Sequence, residues 1–533
     1  MSVRRLLAGV AATSLAATAL AVAAPAQADP SFVPDADDIV GAGSDTSMFA
    51  LSYLADGNAG VAGYNASNPA HRLVSFDART FAADGLTQTN SATVVLRAGT
   101  AAITRPNGST EGKNLLRTGG NTNVNYARSS SAISTAEASD FLVAFPFAKD
   151  TLAMATARTS NAPAALTEAQ IVDIYEGDLR NWATIGGANG FINPYIPQSG
   201  SGTRSFFVAE LKRMNGGVDV AINNSVVLPA QEHSDAPIKD DANAVAPFSV
   251  GRAGLLGTLR IESGFSAARA LYNVVRQPDV SSDWAQDLFG PTGFVCSPAA
   301  ASLILDAGFE QLLSQSQGGK CGVTTTSATP VSDLLTAKVN TTTTVAGTSA
   351  SAGALTLTAT VAGGGQLKPQ GVVAFSIDGV TKGSGVVTGG KATLSASGLS
   401  AGVHKVRATF TPTGAAFNAS SSADVDVVVS AATPAPVVKA STKLVETFKS
   451  SYAKGAVIKG KVKVKESATG AATGKVVIKR GTKTVGKGTV KNGVAVIKLT
   501  KPLRKGKNKL VAKYAGNSAF AASKLKFVIT LKG

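Results

Sequence analysis

Gly200-Ser201-Gly202-Thr203-Arg204 runs into Phe207, Leu211 and Met214 at helical spacing, and this stretch decides how the first half of the chain folds. A helix start presents unpaired N–H donors and the positive end of the helix dipole. Glycines let a ligand approach the backbone, and Ser and Thr hydroxyls add donors, so the combination makes an oxyanion seat. Two more loops read the same way. After the short strand Ile39-Val40 come Gly41-Ala42-Gly43-Ser44-Asp45-Thr46-Ser47, then Met48, Leu51 and Ala55 at helical spacing. Arg128-Ser129-Ser130-Ser131 precedes another short helical pattern. One Ser or Thr before a helix is ordinarily just an N-cap. Three such loops in one domain, with Arg128 on one and Arg204 on another, point to a bound anion.

The order of these landmarks resembles the phosphate-binding component of phosphate ABC transporters, a type II periplasmic binding protein. Gly41–Thr46 and Arg128–Ser131 are followed by Phe145-Pro-Phe-Ala-Lys-Asp-Thr-Leu-Ala153 and Leu166-Thr-Glu-Ala-Gln-Ile171. Then come Ile174-Tyr175-Glu-Gly177, Asn181-Trp182, Gly200–Arg204 and Ala246-Pro-Phe-Ser-Val-Gly251. The resemblance implies two α/β lobes joined by a hinge and closing on a dehydrated phosphate or similar oxyanion, with an ABC permease as a partner. It implies ligand-binding roles for Ser44, Asp45, Thr46, Arg128, Ser129, Ser130, Gly200, Ser201, Gly202, Thr203 and Arg204. The chain departs from the family pattern twice. Ser130 stands where an Asp accepts the proton of hydrogen phosphate, and Pro197-Gln198 stands where an Arg precedes the Gly-Ser-Gly-Thr loop. Arg128 and Arg204 are candidates to restore the charge and Asp45 to be the acceptor, which leaves phosphate against sulfate open.

Beyond the Thr/Ser-rich stretch Thr324–Pro330 the pattern changes to period-2 alternation, as in Leu355-Thr-Leu-Thr358 and Val462-Lys-Val-Lys465. The region is also an internal repeat. Gly371–Gly379 corresponds to Gly474–Gly481, Gly402–Phe410 to Gly506–Tyr514, and Phe417-Asn-Ala-Ser to Phe520-Ala-Ala-Ser523. Two copies about 100 residues apart, each of short strands and regular turns, predict two β-sandwiches. They resemble the bacterial Ig-like repeats of surface and wall proteins. The expected division is a signal peptide at 1–28, the binding domain at 29–323, a linker at 324–337, one repeat at 338–431, a Pro/Ala linker at 432–439, and a Lys-rich repeat at 440–533. The expected fold class is therefore multidomain: a two-lobed α/β periplasmic-binding-protein fold plus two all-β Ig-like sandwiches.

Arg4 and Arg5, the apolar run Leu6–Ala24 and Ala26-Gln27-Ala28 predict an export signal rather than a membrane anchor. Export gives Cys296 and Cys321 a meaning. In an oxidising compartment such a pair is expected to bond, whereas a reactive thiol has no His close by in sequence. Three scattered histidines and two cysteines among 533 residues predict no metal site and no cofactor. The net charge of +17 divides unevenly: residues 433–533 hold 24 Lys+Arg against two acids, +22, and the other 432 residues sum to −5. Of those cations only Arg480 and Arg504 are arginines, and aromatics are few, which argues against nucleic acid. The coat predicts diffuse attraction to anionic cell-wall polymers or, equally, a solvated face. Gly398-Leu-Ser-Ala-Gly402 matches a nucleophile elbow but falls in a turn between repeat strands, and Gly481–Lys487 approaches a phosphate loop with Gly488 in place of Ser or Thr. An enzyme is not expected. The leading expectation is an exported phosphate-binding protein, secreted and wall-associated. The alternative is a surface adhesion protein whose binding domain has lost or changed its ligand.

Overall fold

The computed structural model describes residues 29–81, 88–89, 92–117, 119–431, 438–466 and 470–533. The expected signal, 1–28, lies outside them, as does most of the Pro/Ala linker, 432–437. The chain separates into two units between residues 431 and 432.

In the first unit a nine-stranded sheet runs in the order Leu228–Ala230, Asn193–Pro197, Ala244–Ser249, Leu142–Ala157, Leu259–Arg276, Tyr126–Ser129, Ile39–Gly43, Leu73–Ser75, with Glu310–Gln311 on Leu142–Ala157. The two long strands explain the shape. Leu142–Ala157 and Leu259–Arg276 pair antiparallel almost end to end, from Leu259↔Ala157 to Arg276↔Leu142. Toward one end Val245–Ser249 joins them, and toward the other Ser129–Ala127 does. They thus pass through two lobes with separate cores. Leu51, Tyr126, Phe145 and Phe289 belong to the first, and Ile171, Tyr175, Trp182 and Phe207 to the second. Ile39–Gly43 is buried along its whole length, as expected of a parallel strand covered on both faces.

Local signals act as their chemistry dictates. Thr167 accepts from the Gln170 N–H and Gln170 accepts from the Thr167 N–H, a capping box that starts helix Glu168–Glu176. Gly177, at φ 86°, ends it in the left-handed conformation. This helix packs through Tyr175 on Phe207 of helix Gly202–Met214, ring centroids 4.9 Å apart. Phe207 and Leu211 are fully buried, and each such side chain contributes about 1.5–3 kcal/mol. The start of that helix is anchored thereby. Cys296 and Cys321 form a disulfide.

Both repeats are all-β sandwiches. The first, still within the first unit, packs Thr342–Thr348, Ala354–Ala362 and Lys391–Ser397 against Val380–Val386, Gly371–Ile377 and Gly402–Pro412, with Ser420–Ser421 and Val425–Val429 alongside. In the second, pairing of Val490 with Ala495 and Lys491 with Val494 joins the layers into one eight-stranded ladder. Two details of pairing recur in both copies: Val339 bridges Phe417 in one and Ala440 bridges Phe520 in the other. The hydroxyls of Thr341 and Ser420 lie 2.6 Å apart, those of Thr442 and Ser523 2.7 Å apart. Val462 and Val464 point inward while Lys461, Lys463 and Lys465 are exposed.

Candidate anion-binding site

The hydroxyl loops of both lobes meet at one buried place. From the first lobe, Ser44 Oγ lies 3.1 Å from Ser130 Oγ, and Ser109 Oγ accepts from the Ser130 N–H at 3.0 Å. From the second lobe, Ser201 Oγ caps the Arg204 N–H at 3.0 Å, and Thr203 Oγ1 is 3.1 Å from Thr46 Oγ1. Gly202 permits the approach. A Cβ there would stand 2.4 Å from both Ser109 Oγ and Ser130 Oγ and 2.9 Å from the Ser130 carbonyl carbon. Gly200 closes the contact, its carbonyl accepting from the Thr110 N–H at 3.2 Å.

The cations have different duties. Arg128 is fully buried, but its guanidinium donates to the carbonyls of Ser44 (3.0 Å) and Phe76 (2.7 Å) and to Ser75 Oγ (2.8 Å), so it braces the first loop from behind. Arg204 donates to the Pro197 carbonyl at 2.9 Å, and Ser129 Oγ to the Ser131 carbonyl at 2.7 Å. The cation that reaches Thr203 is Arg269, from the long strand. It donates to Thr203 Oγ1 at 2.7 Å and to the Ser130 carbonyl at 3.1 Å, and pairs with buried Asp150 at 2.9 Å. Sequence reasoning passed over both members of this pair. Their signal was a lone charge in an apolar strand, Ala267-Ala-Arg-Ala-Leu271, which in a folded core calls for a buried partner.

Glu232 was also missed, and it sits at the centre. Its carboxylate accepts from Ser201 Oγ, from the Thr203 N–H at 3.3 Å and from Ser44 Oγ at 3.4 Å. The Glu232 N–H in turn donates to Gln198 Oε1 at 3.1 Å, so the residue standing in the expected Arg position holds this turn. Nothing in Gln231-Glu232-His233 marks it in sequence, because its partners lie up to 188 positions away. Asp45 adjoins Glu232, and the two behave as an unequal pair. Burial and the Glu232 charge push the Asp45 carboxyl well above the usual range, against the Gln231 hydrogen bond and Arg128. Burial opposes ionisation of Glu232 too, but the bond with Asp45, the Arg269 charge and the Ser201 and Thr203 donors outweigh it and hold Glu232 at about 2. Within the pair a proton sits on Asp45 in preference to Glu232. No backbone N–H among the described residues donates to Asp45 Oδ1.

The other motifs resolve as structural. His404 Nδ1 lies 2.6 Å from Asp378 Oδ2 and Nε2 3.3 Å from Ser400 Oγ, the order of groups found in a hydrolytic triad. Nε2, however, is 2.9 Å from the Ser400 carbonyl, which can only accept, so that nitrogen carries a proton and cannot take one from the hydroxyl. The Asp378 bond, then the Ser400 carbonyl, raise the His404 pKa, and the trio clamps a turn. Gly481, at φ 57°, turns a hairpin between Gly474–Arg480 and Lys483–Lys491. Among the described residues no cluster of three or more His, Cys, Asp or Glu could hold a metal, and no helix is long and apolar enough to cross a membrane.

Residues 339–430 and 445–531 match the family model described as Bacterial Ig-like domain (group 3). Both repeats are bacterial Ig-like domains. The α/β part is similar to the crystal structure of an ABC-type phosphate transport receptor from Vibrio cholerae, at 20% identity and TM-score 0.35, over 51% of this chain and 98% of that one. It is similar also to PstS from Borrelia burgdorferi, at 18% identity and TM-score 0.32, over 52% of this chain and 98% of that one. No curated protein matches the chain.

Proposed function

We propose that this is an extracellular solute-binding protein that closes its two lobes on phosphate or a similar tetrahedral oxyanion, with its Ig-like domains placing it near the cell envelope. One observation carries the reading. Hydroxyls from both lobes and the Thr203 N–H, in the first turn of a 13-residue helix, converge on a single buried carboxylate. Dry, preorganised donors at a helix start are what a dehydrated anion needs. An ABC permease would receive the ligand, and the Lys-coated repeat would hold the protein on anionic wall polymers. Isothermal titration of the full chain with phosphate and with sulfate tests the reading, a saturable one-site isotherm for either anion being the expected outcome.

A second reading has its own support. Since the carboxylate at the seat belongs to the chain itself, the domain has the form of an adhesion or scaffold module that no longer takes a solute. The absence of heat with either anion, from a folded protein, would favour it.

A further inference from the structure

We propose that the Glu232 carboxylate is the resident occupant of the oxyanion seat, and that a solute anion binds only by displacing it. The proposal rests on the oxyanion reading for its second half, and on the geometry alone for its first. The two oxygens of Glu232 divide the seat between them: Oε1 faces Ser44 of the first lobe, Oε2 faces Ser201 and the Thr203 N–H of the second. Two oxygens on one carbon span a gap much as two on one phosphorus or sulfur do, so the side chain imitates an edge of the tetrahedron.

The seat has no room for two anions. Like charges a few ångströms apart in a desolvated site repel strongly, and the nearest cation, Arg269, is already committed to Asp150. Entry is therefore an exchange, charge for charge. The turn that carries Glu232 is fixed at the next residue: His233, at φ 63°, holds its ring between Phe248 and Phe309 with centroids 6.1 and 6.0 Å away.

Titration calorimetry and thermal melting of the full chain, as wild type, Glu232→Ala and Glu232→Gln, test the proposal with inorganic phosphate and with formate as probes. Glu232→Ala should bind phosphate at least about tenfold more tightly than wild type. Formate, a free carboxylate, should raise the melting temperature of Glu232→Ala and leave wild type unmoved. If wild type binds phosphate and both variants bind it equally or less tightly, Glu232 belongs to the ligand's own shell and the proposal falls while the oxyanion reading stands. If phosphate binds to none of the three but formate stabilises Glu232→Ala, Glu232 does fill the seat and the oxyanion reading falls. If neither probe binds any of the three, both fall. Should Glu232→Ala lack a cooperative melt, Glu232→Gln decides: neutral and of the same shape, it should still exceed wild type in phosphate affinity.

Discussion

Two regions of this chain present their polar donors in opposite ways. At the lobe interface, a few hydroxyls, two N–H groups and one guanidinium act in a dry site through short, fixed contacts. On the C-terminal repeat, 22 lysines and two arginines stand on a strand scaffold with two acids among them, and the lysines of Lys461–Lys465 are exposed. The first arrangement makes each contact expensive to lose. The second makes each contact cheap and the sum large. Mutation, pH and salt should therefore separate the two regions.

The largest effect is expected at Arg269. Replacing it with Ala strands the Asp150 carboxylate, which is fully buried and otherwise bonded to Ser249 Oγ at 2.6 Å. Breaking a buried pair from one side costs about 3–5 kcal/mol. Urea unfolding followed by tryptophan fluorescence reads it cleanly, since Trp182 and Trp284 both lie in the α/β part. A loss below about 1 kcal/mol would show that water reaches this pair and that the site is less dry than its geometry.

Gly202→Ala comes next. Its Cβ would stand 2.4 Å from two hydroxyls and 2.9 Å from a backbone carbon of the facing lobe. Overpacking of this kind costs about 1–3 kcal/mol, and here it falls on lobe closure rather than on either core. Small-angle scattering should find the variant expanded while its melting temperature changes little. An unchanged profile would mean that the serines swing aside.

Two histidines, one beside the lobe interface and one in the first repeat, extend the contrast between dry and exposed groups to pH. His404, bonded to Asp378 and the Ser400 carbonyl, should titrate above the ordinary range, and His233, shielded between two phenylalanines, should titrate at about 4 because burial disfavours its charged form. The consequences for stability have opposite signs. The His404 contribution is complete below the unfolded-state value of about 6.5 and fades as pH rises through the raised folded value. The His233 contribution is complete above that unfolded value and fades as pH falls toward 4. NMR titration of the three histidines checks both directions at once, and a shared midpoint would refute them.

Much of the architecture was legible because its signals are local. The capping box at Thr167, the stop at Gly177, the alternation around Val462 and the hydroxyls ahead of helix Gly202–Met214 each act within a few residues. The site was legible only as hydroxyl loops. Glu232 and Arg269 do their work through partners distant in sequence: Ser201, Thr203 and Ser44 lie 31, 29 and 188 positions from the first, Thr203 and Asp150 66 and 119 from the second. No periodicity encodes such contacts. The roles of the arginines were hidden for the same reason: Arg128 opens one hydroxyl loop in sequence, yet its guanidinium is spent on the carbonyls of Ser44 and Phe76, far from it along the chain.

The smallest single effects should come from the lysine coat. An exposed ammonium gains little from any one partner and is screened within about 8 Å at physiological ionic strength. Replacing Lys463 with Ala should therefore weaken attachment of residues 432–533 to a teichoic-acid polymer by about threefold at most. The same should hold wherever on the exposed strands the lysine is taken. Raising the salt, by contrast, acts on all the contacts together, and attachment should fall steeply. Phosphate titration of the full chain over the same salt range should change far less, because its donors are buried. A single lysine whose loss abolished attachment, or attachment indifferent to salt, would mean that the repeat recognises its polymer in a defined pocket, and the contrast between the two regions would then dissolve.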